Sequence, residues 1–191
     1  MKKKMLFVMA TIAAFALFVP SVMAAEKLIQ VGNEKYATLS EAMEVATKDT
    51  VTTIKLLDDL TSSEGIKTLA SNPKNITFDL NGHTLTFAEG ALVGSPGTVS
   101  QNIHVEKGSV IVFKNGKMVA SKDSRMFLQN YCNLTLLDVS IDTTGVTTTN
   151  KYYAVSLNQG TINITGNTSI KSKSVAFDAY WWPDAGYTGG A

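Results

Sequence analysis

Apolar residues recur at every second position in short runs along most of this chain. Ile76, Phe78 and Leu80 form one run, and Leu85 and Phe87 form the next. Period two is the spacing of a strand with one buried face. Asn81-Gly82 separates these two runs, and Asn-Gly between alternating runs is ordinarily a two-residue hairpin signal. The reading changes once the same pattern is found again downstream.

Three segments superpose without gaps: IHVEKGSVIV from Ile103, FLQNYCNLTL from Phe127 and VSLNQGTINI from Val155. The shared apolar places are Ile103/Val155, Val105/Leu157, Val110/Ile162 and Val112/Ile164, with Phe127, Leu134 and Leu136 in the middle copy. Gln129 breaks the pattern. ITFDLNG also overlays VIVFKNG at Val110 to Gly116, which sets Asn81-Gly82 over Asn115-Gly116. The offsets of 24, 28 and 34 residues describe a unit too small to bury its own apolar face, although stacked units can do so. The pattern therefore predicts a coil of parallel strands. Asn81-Gly82 becomes a corner, with Asn in the left-handed region and Gly relieving the backbone. An antiparallel sandwich is the alternative that the strand spacing also permits.

One helix stands before the coil. Thr38-Leu39-Ser40-Glu41 has capping-box spacing, and Leu39, Ala42, Val45 and Ala46 follow as an apolar stripe. The helix is expected to stop near Lys48 or Asp49. TVTTIKLLDDL then reads as a strand, and SEGIKTLAS as at most a turn or two of helix.

The first residues form a different pattern. Lys2, Lys3 and Lys4 precede an uncharged apolar run from Met5 to Val19, and Val22 and Ala24 fit the positions before a cleavage point. Residues 1–24 are read as a signal peptide cleaved after Ala24, with Ala25 the next candidate. Residues 25–191 are read as one domain. The apolar run is shorter than the roughly 20 residues of a spanning helix, so no permanent membrane span is expected. Losing three lysines takes the formal charge from +1 to −2. With Arg125 the sole arginine, nucleic acid is excluded as a partner. Cys132 is the sole cysteine, so it forms no disulfide within the chain and reads as a small buried hydrophobe in a strand-like segment.

YATLSEAMEVATKDTVTTIKLLDDL followed by NITFDLNGHTLTF resembles the opening of secreted bacterial right-handed parallel β-helix proteins of the pectate-lyase-like superfamily. The resemblance is clear over Tyr36 to Phe87 and general beyond. It implies an all-β right-handed parallel β-helix whose short N-terminal helix caps the first turn. It also implies a location outside the cell or on its surface. Lyases of that family abstract a proton beside a uronate carboxylate, commonly with calcium, using basic residues near clustered aspartates. Arg125, in KDSRMF, matches no catalytic motif of theirs, so no catalytic residue is carried over.

The remaining candidates are few. His83 sits at the Asn81-Gly82 corner, and His104, between Ile103 and Val105, is expected to face outward. Neither has metal-ligand spacing around it, so no metal or other cofactor is expected. Asp58, Asp59, Asp79, Asp138 and Asp178 are the acids to test for a paired arrangement, and a solvated ladder is the plainer expectation. TTGVTTTN is one loop-like cluster rather than a ladder of Thr-x-Thr triplets. VAFDAYWWPDAGYTGGA ends the chain: Val175 and Phe177 begin another turn, with no cap after it. Such an end is expected either to continue in a longer protein or to pair with a second copy through an open edge.

Tyr180, Trp181, Trp182 and Asp184 are the candidate ligand-binding residues. Adjacent aromatic planes can stack on sugar rings, and Asp184 can accept hydroxyl hydrogen bonds; the same rings could instead cover the end of the coil. The functional expectation is a secreted or cell-surface scaffold or adhesion module without enzymatic activity. Its partner would be an extracellular polysaccharide or cell-wall glycan. The alternative is a polysaccharide lyase or glycoside hydrolase.

Overall fold

The structure is a computed structural model that describes residues 26–95 and 97–180. The leader, its cleavage point, Trp181, Trp182 and Asp184 lie outside the described residues.

The chain enters as a short antiparallel hairpin, β1 (Ile29–Val31) and β2 (Glu34–Tyr36), that the sequence pattern did not announce. Gly32, with φ of 58°, makes the turn. Helix α1 (Leu39–Glu44) follows with the expected capping box: the Glu41 N–H donates to Thr38 Oγ1 at 3.2 Å, and the Thr38 N–H donates to Glu41 Oε2 at 3.3 Å. The helix ends earlier than expected, with Val45 as its C-cap and 49% exposed. Leu39, Ala42, Met43 and Ala46 are buried instead. That set follows i, i+3, i+4, i+7, and Val45 falls off the stripe. Helix α1 packs on β1 and β2 and joins the core at this end of the molecule.

From here the named strands pair parallel, turn upon turn. The first turn holds β3 (Thr52–Leu56), β4 (Leu60–Ser62) and β5 (Ile66–Lys67). The second holds β6 (Asn75–Asp79), β7 (Thr84–Phe87) and β8 (Gln101–Val105). The third holds β9 (Val110–Val119) and β10 (Met126–Asn130), and the fourth β11 (Asn133–Asp142) and β12 (Tyr153–Leu157). The last described turn holds β13 (Thr161–Thr165), β14 (Ser169–Lys171) and β15 (Val175–Ala179). Two sheets result, one of ten strands and one of five in the order β15-β12-β10-β8-β5. The fold is an all-β parallel β-solenoid with a short N-terminal helix. SEGIKTLAS forms β5 and bends rather than helix.

Asn81-Gly82 is a corner. β6 and β7 do not pair with each other; both pair with β9 of the next turn. Asn81 (φ 52°), Asn115 (φ 59°) and Asp138 (φ 51°) are the positive-φ non-glycine residues among those described, and they occupy successive turns. Asn and Asp tolerate this region because a short polar side chain can bond locally. Asn81 Nδ2 donates to the Leu56 carbonyl at 3.2 Å, and Asn115 Nδ2 donates to Asp79 Oδ1 at 3.2 Å. Gly116 is needed for space: a Cβ there would lie 2.5 Å from both the His83 carbonyl oxygen and Leu80 Cβ.

The gapless superposition does not survive. Leu128, not Phe127, lies between Ile103 and Val155. Ile111 and Phe113, not Val110 and Val112, align with Leu134 and Leu136. Ile76 likewise pairs with Ile111, one residue beyond the expected partner. That last shift arises inside the large sheet, where Ile76 stands five residues before Asn81 but Ile111 only four before Asn115. The cause of the other two is the link between the sheets. It runs from Val105 to Ile111, from Asn130 to Leu134 and from Leu157 to Ile162, a different length each time. A shift of one residue exchanges the two faces of a strand, which is why Val110 is 41% exposed. The inward column Ile54–Phe78–Phe113–Leu136 includes a stacked ring pair, Phe78 and Phe113, with centroids 4.8 Å apart. Cys132 is buried, in the link rather than in a strand, and burial pushes its thiol pKa up to about 12.

The two ends differ. At the last described turn Ile164 and Phe177 are 45% and 40% exposed, whereas their partners one turn back, Leu136 and Val155, are fully buried. No helix among the described residues is long and apolar enough to cross a membrane.

Candidate functional site: a groove over the five-stranded sheet

Parallel pairing in register lines up side chains from successive turns. On the outer side of the five-stranded sheet it aligns Lys67, His104, Gln129, Ser156 and Asp178 in one row. Adjacent members are one strand apart, about 4.8 Å. The last four line a groove of about 740 Å³. Met126 and Tyr153, one above the other, line it as well, as do Glu106, Tyr131 and Asn158. Arg125 stands beside Met126 on its wall.

His104 faces outward as expected, yet its side chain is only 2% exposed. Gln129 and Ser156 are also buried. Buried polar groups require partners, and these have them. His104 Nδ1 lies 2.9 Å from Gln129 Oε1, Gln129 Nε2 donates to the Tyr131 hydroxyl at 2.9 Å, and His104 Nε2 lies 3.4 Å from Glu106 Oε1. Ser156 Oγ is 2.9 Å from Asp178 Oδ1 and 3.2 Å from Asn158 Oδ1. Burial pushes the His104 pKa down; the bond to Gln129 and the charge of Glu106 oppose this, and Lys67 reinforces it.

The residues singled out from sequence scatter. Tyr180 lines the groove, 54% exposed, with its N–H donating to the Leu157 carbonyl at 2.9 Å. Asp178 lines it too. Asp79 and Asp138 do not. Asp79 forms an ion pair with Lys114 at 3.3 Å. Partial burial raises its pKa, but bonds from Asn81, Asn115 and Lys114 outweigh that and hold the carboxyl below its usual range. Asp138 occupies the corner itself and accepts the Asn167 N–H at 2.7 Å.

Asp58, Asp59 and His83 converge elsewhere, with candidate ligand atoms within 4.8 Å of one another. Their oxygens already have local work: Asp59 Oδ1 accepts the Thr84 N–H at 2.8 Å, and Asp58 Oδ1 accepts the Asp59 N–H at 2.7 Å. Both carboxylates are exposed, with His83 Nδ1 3.9 Å from Asp58 Oδ1 and 3.6 Å from Asp59 Oδ1.

Sequence reading missed the row itself. Its signal was present in Gln129, a polar residue interrupting an apolar template. With the frame one residue off, Gln129 aligned with inward Val105 and Leu157. The true register sets it beside His104 and Ser156, facing the groove.

No family model matches the chain, and neither a curated protein nor a solved structure matches it.

Proposed function

We propose that this chain is a non-catalytic scaffold or adhesion module of the pectate-lyase-like kind, secreted or displayed on a bacterial surface. We propose that it holds an extracellular polysaccharide in the groove over its five-stranded sheet. The observation that carries the reading is the groove's chemistry. Amide, hydroxyl, imidazole and phenol groups converge at strand spacing, beside the half-buried Met126 and Tyr153. An extended glycan offers the matching series of hydroxyls and ring faces. The leader-like pattern of residues 1–24 supports a place outside the cytoplasm, and the solenoid with its N-terminal cap supports the superfamily resemblance.

Binding is favoured over hydrolysis by the spacing of the acids. Among the described groove residues the carboxylates are Glu106 and Asp178. Glu106 follows β8, and β8 and β15 are three strand steps apart. At about 4.8 Å per step that is about 14 Å, beyond the roughly 9.5 Å upper limit for paired glycosidase acids. Tyr180 lines that groove, and Trp181, Trp182 and Asp184, which follow it in the sequence, are proposed as further ligand contacts.

The test is a panel of pectin, polygalacturonate, alginate and xylan, with and without calcium. Saturable binding without release of reducing or unsaturated ends is the expected result. Product release above a heat-killed control would make the chain a lyase or hydrolase. No binding across the panel would remove the glycan reading.

A further inference from the structure

At one end of the groove the hydrogen bonds have a direction. Gln129 Nε2 donates to the Tyr131 hydroxyl, so the other atom of the amide, Oε1, is the one facing His104 Nδ1 at 2.9 Å. An amide oxygen only accepts, so Nδ1 carries a proton. Nε2 faces Glu106 Oε1 at 3.4 Å, and a carboxylate also only accepts. Both ring nitrogens are therefore donors, and this arrangement suits the imidazolium form. Glu106 is tied in place: its Oε2 accepts the Ala70 N–H at 2.9 Å, and its own N–H donates to Thr68 Oγ1 at 2.9 Å.

The ring is nevertheless buried, and burial together with Lys67 favours its neutral form. One proton must then leave. Loss from Nε2 would set two lone pairs against each other, ring nitrogen and carboxylate. Loss from Nδ1 has a better outcome. The Gln129 amide turns over and donates to Nδ1, and the Tyr131 hydroxyl donates to Gln129 Oε1. Each contact from Glu106 through His104 and Gln129 to Tyr131 then again pairs a donor with an acceptor.

We propose that His104, Gln129 and Tyr131 form a pH-driven switch. Loss of the Nδ1 proton turns the Gln129 amide and reverses the direction of the bond between Gln129 and Tyr131. Both of those side chains line the groove, so the switch changes the donors and acceptors that a ligand meets. The groups that set it are Glu106 at Nε2, Lys67 on the neighbouring strand and Tyr131 beyond Gln129. Lys107 and Arg125 are charged groups of the same groove, and Asp178 lies at its far end. Only the effect on ligands rests on the glycan reading; the switch itself needs no ligand.

The test is nitrogen NMR of the His104 ring in the full chain, from about pH 8 down to acid. Side-chain NOEs of Gln129 would be recorded over the same range. The expected neutral form carries its proton on Nε2, with the Gln129 NH2 close to the ring. Protonation moves that NH2 to the Tyr131 side. Gln129→Glu, which can only accept at Nδ1, raises the titration midpoint by about one pH unit or more. A neutral form protonated on Nδ1, an amide that keeps one orientation, or a ring neutral down to acid unfolding overturns the switch.

Polysaccharide affinity is measured separately across the same range, in the wild type and in Gln129→Met. The wild type is expected to change about two- to tenfold with the His104 midpoint, the range of one hydrogen bond, and Gln129→Met to lose that dependence. A working switch without any glycan binding sinks the groove reading alone. Glycan binding with a fixed amide sinks the switch alone.

Discussion

The two sheets send similar side chains inward and differ in what they turn outward. On the ten-stranded sheet the outward row Thr53–Thr77–Val112–Thr135–Asn163 is short and half-exposed or exposed, and charge is handled in pairs such as Asp79 with Lys114. On the five-stranded sheet the outward residues His104, Gln129 and Ser156 are buried, though they lie outside the apolar core. An exposed face needs only solubility. A buried polar row is costly unless each group is bonded, and this one is bonded along its length. That contrast is what favours the small sheet as the proposed binding face.

The comparison breaks most visibly in the core that both sheets share. Phe113→Ala removes one of the two stacked rings and is expected to cost about 3–5 kcal/mol. Chemical denaturation would read this as a fall in midpoint at unchanged slope. A loss below about 1 kcal/mol would mean that the column collapses onto the gap.

The corner of the large sheet is next. Asn115→Val puts a β-branched residue at φ of 59° and is expected to cost about 1–3 kcal/mol. Asn115→Gly restores the backbone freedom and should lose much less. Equal losses in the two variants would assign the whole effect to the bond from Asn115 to Asp79.

This corner was also the most legible feature. Asn81-Gly82 and Asn115-Gly116 announced it because left-handed backbone restricts residue choice whatever surrounds it. The capping box was legible for a similar reason, being local. The register was not, because links of unequal length between the sheets leave no local mark. The groove followed it out of sight: Gln129 faces inward in one frame and outward in the next. The short hairpin of β1 and β2 is too brief to show a period.

Smaller effects sharpen the comparison. Thr38→Ala removes the α1 cap and is expected to cost about 1 kcal/mol, with no change at the groove; a thermal melt paired with a glycan titration checks both. Asp142 lies at the end of the large sheet. Side-chain and backbone bonds from Thr144, with Lys117 at 3.2 Å, hold its pKa down to about 2 from 3.8. A depressed carboxylate contributes stability above its unfolded pKa and loses it as pH falls through the folded one. Wild-type stability should therefore carry an acid branch between about pH 4 and 2 that Asp142→Asn flattens. The change is at most about 1 kcal/mol, since the pair is partly solvated. Denaturation curves stepped through that range would show whether the two proteins converge.

The central claim is that one face binds and the other does not. Its most direct measurement is a polysaccharide titration of three proteins with intact circular dichroism: wild type, Met126→Trp on the groove and Thr135→Trp on the outer row of the large sheet. Filling the groove is predicted to weaken saturable binding at least about tenfold, or 1.4 kcal/mol, while Thr135→Trp binds as the wild type does. Equal loss in both variants, or full binding by Met126→Trp, would contradict it.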